Sequence, residues 1–175
     1  MTTFREDPLL GVARAILTFL MGLAIFVGAV LLLVVPAVLF NQEAVVIELG
    51  KAGNAIDGDM IGAILAILGL VVFMAVIAFM LVRHLRRIVD TVRQGDPFIP
   101  VNAVRLRAMA WLSIVIQLAA LFAGALTMWL DEVTKDVEAN FDVSIGGILL
   151  PLVLFILARV FRRGAEMRED LEGTV

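Results

Sequence analysis

The chain has 175 residues, 62% of them hydrophobic, and its 14 basic and 17 acidic side chains leave a formal net charge of −3. An ordinary soluble domain is about 45–50% apolar, and a disordered chain combines low hydrophobicity with high net charge, so both classes are excluded. With no Cys, no Tyr and one His, disulfides, thiolate metal sites and dithiol redox chemistry are ruled out, and little acid–base equipment is left.

Four uncharged stretches set the architecture. Ala15 to Phe40 is 26 residues, Met60 to Val82 and Ala108 to Leu130 are 23 each, and Val143 to Ala158 is 16. A hydrocarbon core of about 30 Å takes about 20 apolar residues in a helix. At about 1.5 Å per residue the first three cross with slack for tilt, whereas the fourth covers only ~24 Å. It reaches across by drawing in Phe141 and Phe161 and letting Arg159 snorkel to the headgroups. The first stretch is much longer than the roughly 7–15-residue core of a signal peptide and no small-residue cleavage site follows it, so it is expected to stay. The prediction is an all-α polytopic membrane protein: a single membrane domain over 1–175, with four transmembrane helices at about 15–40, 60–82, 108–130 and 141–161.

Basic residues orient it. Residues 1–14, the loop 83–107 and the tail from 159 onward carry twelve, while the loops 41–59 and 131–142 carry two, Lys51 and Lys135. The positive-inside rule then gives an N-in/C-in topology with 83–107 and the tail 162–175 in the cytoplasm. Acidic residues of the outer loops (Asp57, Asp59, Asp136, Glu138, Asp142) agree with this, and Trp111 and Trp129 stand where interfacial aromatics belong.

The spans contain no ionisable group, which argues against a pump or proton relay. Among their polar residues, Gln117 is expected to need an interhelical partner. The pairs Ala24–Gly28, Gly58–Gly62 and Ala120–Gly124 are read as close-packing faces. Pro36 and Pro151 each remove a backbone donor and are expected to bend their helices. Residues 41–59 are read as loop.

The second helix is predicted to run on into the cytoplasm, from about Met60 to Gln94, because Leu85, Ile88, Val89 and Val92 recur at helical spacing. Gly95 would cap it, the segment Asp96-Pro97-Phe98-Ile99-Pro100 would be turn or extended, and Asn102 would be the N-cap of the third helix. The fourth helix also extends past the bilayer, with Val160, Phe161, Gly164, Met167 and Leu171 on one face and Arg162–Glu166 and Arg168–Glu172 as i,i+4 pairs. Apolar stripes away from lipid, together with an exposed Phe98, point to a covered surface.

The string Asp90-Thr91-Val92-Arg93-Gln94-Gly95-Asp96-Pro97-Phe98, followed by Asn102, Leu106 and Arg107, and the ending from Leu157 to Val175 resemble the two cytoplasmic blocks of a bacterial membrane family catalogued as domain-of-unknown-function family 2975. The layout resembles that family over essentially the whole chain. Arg159 departs from it, standing where the resemblance implies an acidic residue. The resemblance implies a four-span inner-membrane protein, frequently encoded beside a very small helix-turn-helix regulator of the Xre type, and so a DNA-binding partner rather than a reaction.

The expected function is therefore that of a regulatory or scaffold protein of the bacterial inner membrane that binds such a regulator. The candidate partner-binding residues are Arg86, Arg87, Asp90, Arg93, Gly95, Asp96, Pro97, Phe98 and Asn102 in the middle loop, and Glu166, Arg168, Asp170 and Leu171 in the tail. Direct nucleic-acid contact is not expected, because the arginines are needed at the lipid headgroups. Alternatives are an accessory or oligomer-forming subunit of a larger membrane assembly and, less favoured, a small-molecule permease or channel. His84 lies among arginines, and no nucleophile–base pair is apparent, so no enzyme, cofactor or metal site is expected.

Overall fold

The computed structural model describes residues 8–50, 58–134 and 145–172. They form α1 (Pro8–Phe40), α2 (Gln42–Gly50), α3 (Gly58–Arg93), α4 (Pro100–Thr134) and α5 (Ile145–Glu172), with no strand among the described residues. Phe141, the start of the fourth predicted span, Asp57, Asp136, Glu138, Asp142 and the last three residues lie outside the described residues.

The long helices pack mainly in chain order, α1 on α3, α3 on α4 and α4 on α5. This is an open row rather than a closed bundle. Its core gathers at the end where α3 turns into α4: Ile88 from α3, Leu106, Met109 and Ala110 from α4, and Leu154 and Ala158 from α5, flanked by Leu85, Val92, Phe155 and Phe161. Ala110 and Ala158, 0% and 3% exposed, keep side-chain bulk off the crossing so that three helices can meet there. The stripe Leu85, Ile88, Val92 thus covers the chain's own α4 and α5.

Lipid is the solvent for the rest. In α1 the buried residue is Leu17, while Phe26, Leu32 and Leu33 are 65%, 73% and 73% exposed. A helix apolar on all sides and packed along one of them needs a hydrocarbon surround. Three helices are long and apolar enough to cross a membrane, over Pro8–Phe40, Met60–Arg93 and Pro100–Leu130. Span hydroxyls are satisfied within their own helices: Thr18 Oγ1 donates to Arg14 O and Ser113 Oγ to Met109 O, each at 2.8 Å.

Three local expectations need correction. Residues 42–50, read as loop, are helical, and the main-chain ladder passes through Asn41, whose N–H donates to Ala37 O while its C=O accepts from Val45. Gly28 and Gly62 have no atom within 4 Å of where a Cβ would stand, so their small-residue pairs do not bring helices together. Close approach happens instead at two glycines of α5, Gly147 against the amide of Gln117 and Gly164 against Phe98. Finally, α4 begins at Pro100: proline's fixed φ and missing N–H suit a first helical position, which moves Asn102 into the first turn rather than the cap.

Gly95 does cap α3. Its φ is +90°, its N–H donates to Val92 O and the Asp96 N–H to Thr91 O, at 3.0 and 3.2 Å, the paired bonds of a Schellman motif. Left-handed backbone costs a residue with a Cβ about 1–2 kcal/mol, so Gly95→Ala should lower the unfolding free energy in detergent by that amount, measured by SDS titration.

Candidate functional site

The Schellman cap turns the chain sharply at residues 94–99, and Asn102 fastens the turn from beneath. It is 0% exposed. Its Nδ2 donates to Thr91 Oγ1 at 2.7 Å and to Pro97 O at 2.9 Å, and its Oδ1 accepts from Arg105 at 2.9 Å. Thr91 Oγ1 in turn donates to Ile88 O at 2.7 Å, and Arg105 reaches Arg87 O at 3.2 Å. The end of α3, the turn and the start of α4 thus form one hydrogen-bonded unit. Desolvation, and secondarily the charge of Arg87, lowers the Arg105 pKa; it stays cationic at neutral pH.

α5 clamps this unit from the side. Phe98 stacks on Phe161 with ring centroids 5.3 Å apart at 44°. Its ring also occupies the space that a side chain at position 164 would fill: a Cβ on Gly164 would stand 2.6 Å from Phe98 Cδ1. Arg168 forms an ion pair with Asp96. Expected to be exposed, Phe98 is 41% exposed, one face on α5 and one edge outward. Together Asp96, Phe98, Pro100, Ala165, Arg168 and Glu169 line a cleft of about 250 Å³.

The candidate residues therefore divide into groups. Gly95, Asp96, Pro97, Phe98, Asn102 and Arg168 come together in the turn. Asp90 and Arg86 lie on another side, where Asp90 meets Arg14 of α1 at 3.2 Å and Arg86 at 4.0 Å, and Arg86 also contacts Met21 Sδ at 3.8 Å. Arg87, Glu166, Asp170 and Leu171 are exposed, Leu171 by 72%, and Arg93 is half-buried. The pair Arg162–Glu166 is not among the ion pairs of the described residues, in keeping with the weaker basic-before-acidic order on a helix. Glu172, the expected partner of Arg168, has no described side chain.

Sequence reasoning missed Thr91, Arg14, Arg105 and the seat offered by Gly164. Helical spacing does put Phe161, Gly164 and Arg168 within two turns of one another, a signal that becomes readable only once α5 is known to cross the turn. The Arg14–Asp90 pair is partly exposed, 47% and 31% at the side chains, and such pairs contribute about 0.2–1 kcal/mol. Arg14→Ala should therefore shift the thermal midpoint in detergent only slightly, because apolar packing is what holds α1 to α3.

Long apolar helices and a hydrogen-bonded polar turn at one end of the row define a helical membrane protein. The family model described as Protein of unknown function (DUF2975) matches residues 60–175, and the chain belongs to this family. No curated protein and no solved structure matches it.

Proposed function

We propose that the chain is a four-span protein of the bacterial inner membrane, N-in and C-in, and that it acts without catalysis, as a scaffold holding a small cytoplasmic regulator at the membrane. The twelve-to-two division of basic residues supports the orientation. The fourth span is supported by the apolar run Ile145–Ala158, followed directly by Arg159, Arg162 and Arg163. The observation that carries the reading is the turn fixed by Asn102 and clamped by Phe98 and Arg168. A loop fixed from two helices costs little further ordering entropy when a partner binds it, and it presents Asp96, the outward edge of Phe98, Glu169 and Arg168 as a shaped surface. The family resemblance implies the partner class, a helix-turn-helix regulator of the Xre type; the protein itself would make no direct contact with nucleic acid.

Co-expression with the helix-turn-helix protein encoded beside it tests the partner. Recovery of that protein in the membrane fraction, lost on Phe98→Glu and retained on Arg83→Gln, is the expected result; a regulator that stays wholly soluble refutes the reading. Because the chain has no native Cys, single cysteines at Arg93 and Ala139 report the orientation directly. An impermeant maleimide should label position 139 in intact cells and position 93 only after lysis.

A second reading, an accessory subunit of a larger membrane assembly, is favoured by the open row, which leaves apolar faces of α1 and α5 uncovered by other helices. Its signature would be a stable complex with other membrane subunits after mild detergent extraction.

A further inference from the structure

A second cleft, beside another face of α5, has a composition the scaffold reading leaves unexplained. It holds about 350 Å³ and is lined by Arg107 of α4, by Arg159, Arg162, Arg163 and Glu166 of α5, and by Phe155 and Ala158 at its apolar end. Among the described residues none of its four guanidiniums is ion-paired: Asp96 is held by Arg168, and Asp90 by Arg14 and Arg86. Four cations around one opening repel one another, and a single carboxylate does not balance them.

Phe155 also lines the next groove, a cleft of about 360 Å³ between α4 and α5 bounded by Ile114, Leu118, Ile148, Pro151 and Leu152. The Phe155 ring is held edge-on to Trp111, centroids 5.5 Å apart at 85°, so one side chain joins the basic cleft to the apolar groove. From Ile148 to Phe155 the groove runs about 10 Å along the helix, on the standard rise per residue. That is most of the ~15 Å depth of one leaflet.

We propose that this pair of clefts is a binding site for an anionic phospholipid: guanidiniums of Arg107, Arg159, Arg162 and Arg163 on the phosphodiester and its headgroup, and one acyl chain along the groove between α4 and α5. Arginine's planar fork suits phosphate oxygens, and basic pockets between transmembrane helices at the cytoplasmic side hold anionic headgroups. The joined apolar groove is what selects a lipid over a free phosphate. Arg159 supplies one of the four charges. The site rests on the membrane reading of the chain and not on the soluble partner.

The test uses the purified full-length protein in non-ionic detergent, with lipid retention read by native mass spectrometry. Phosphatidylglycerol should bind in preference to phosphatidylethanolamine and to glycerol phosphate without acyl chains. The double variant R159Q/R162Q should lower its apparent affinity at least tenfold, while R83Q/R93Q, which removes the same charge elsewhere, should leave it unchanged. Leu152→Trp, which fills the groove without touching the arginines, should weaken phosphatidylglycerol and leave glycerol phosphate unaffected; a matched thermal midpoint certifies each variant as folded. Equal retention by the two double variants, equal binding of phosphatidylethanolamine, or glycerol phosphate binding as tightly as the diacyl lipid overturns the site. Wild-type protein that recovers the regulator but retains no phosphatidylglycerol counts against this site alone, and the reverse counts against the partner alone.

Discussion

Replacing Asn102 by Ala is expected to destabilise the protein by about 2–4 kcal/mol, because a fully buried hydrogen-bonding group is removed and its partners are left behind. Pro97 O would lose the Nδ2 donor and Arg105 one of its acceptors, with no helix ladder to take their place. Asn102→Asp tests the two donated bonds. It keeps the shape and the acceptor for Arg105 but has no donor for Thr91 Oγ1 or Pro97 O and sets a buried carboxylate oxygen against the Pro97 carbonyl, so it should cost at least as much as alanine. The measurement is the unfolding free energy from SDS titration of the purified protein, with protease sensitivity at residues 94–99 as a local readout. An Asp variant as stable as the wild type would mean that the two donated bonds contribute nothing.

The second large effect is a reversal of sign at Gly164. Glycine inside a helix is less stable than alanine by about 0.8–1 kcal/mol, so Gly164→Ala taken alone ought to stabilise α5. The new methyl group, however, would stand 2.6 Å from Cδ1 and 3.0 Å from Cε1 of Phe98. The ring must leave, and it forfeits its stacking on Phe161, about 0.5–1.5 kcal/mol, together with part of the ~1.5–3 kcal/mol that burying a Phe contributes. The net expectation is a loss of roughly 1 kcal/mol. In a Phe98→Ala background the seat is vacant, and the same substitution should then stabilise by up to about 1 kcal/mol. A double-mutant cycle read by thermal unfolding checks this; the same sign in both backgrounds would mean that Phe98 is not seated on Gly164.

Membrane embedding and the C-terminal end of α3 were legible in the sequence because both rest on one-dimensional signals. Uncharged runs longer than a bilayer needs, a helical stripe that carries α3 past Val82, and a glycine followed by proline at the turn are properties of neighbouring residues. The roles of Asn102 and Phe98 were not legible in that way. Asn102 has the composition of a cap, but Pro100 fits the first helical position better, and the asparagine serves the turn five residues behind it. Phe98 is exposed as expected, but that its ring also rests on Phe161 and fills the space at Gly164 depends on α5 lying beside it. The same holds for Leu85, Ile88 and Val92, whose cover is the chain's own Leu106 and Ala158. Small-residue spacing misled for the opposite reason: Gly28 and Gly62 occur in apolar helices often enough by chance that spacing alone does not mark a contact. Gly147 and Gly164, with no small partner at the usual interval, are where helices come close.

The row of helices has a bearing on how the molecule is made. Each major interface among the described long helices joins neighbours in chain order, so a segment leaving the ribosome finds the surface it packs on already delivered to the bilayer. Chain closure between distant parts therefore adds little to the barrier for pairing the long helices. The buried knot, which needs α3, α4 and α5 together, is completed last. The N-terminal helix, which precedes the family-matched region 60–175, attaches along one flank and is not needed to complete it.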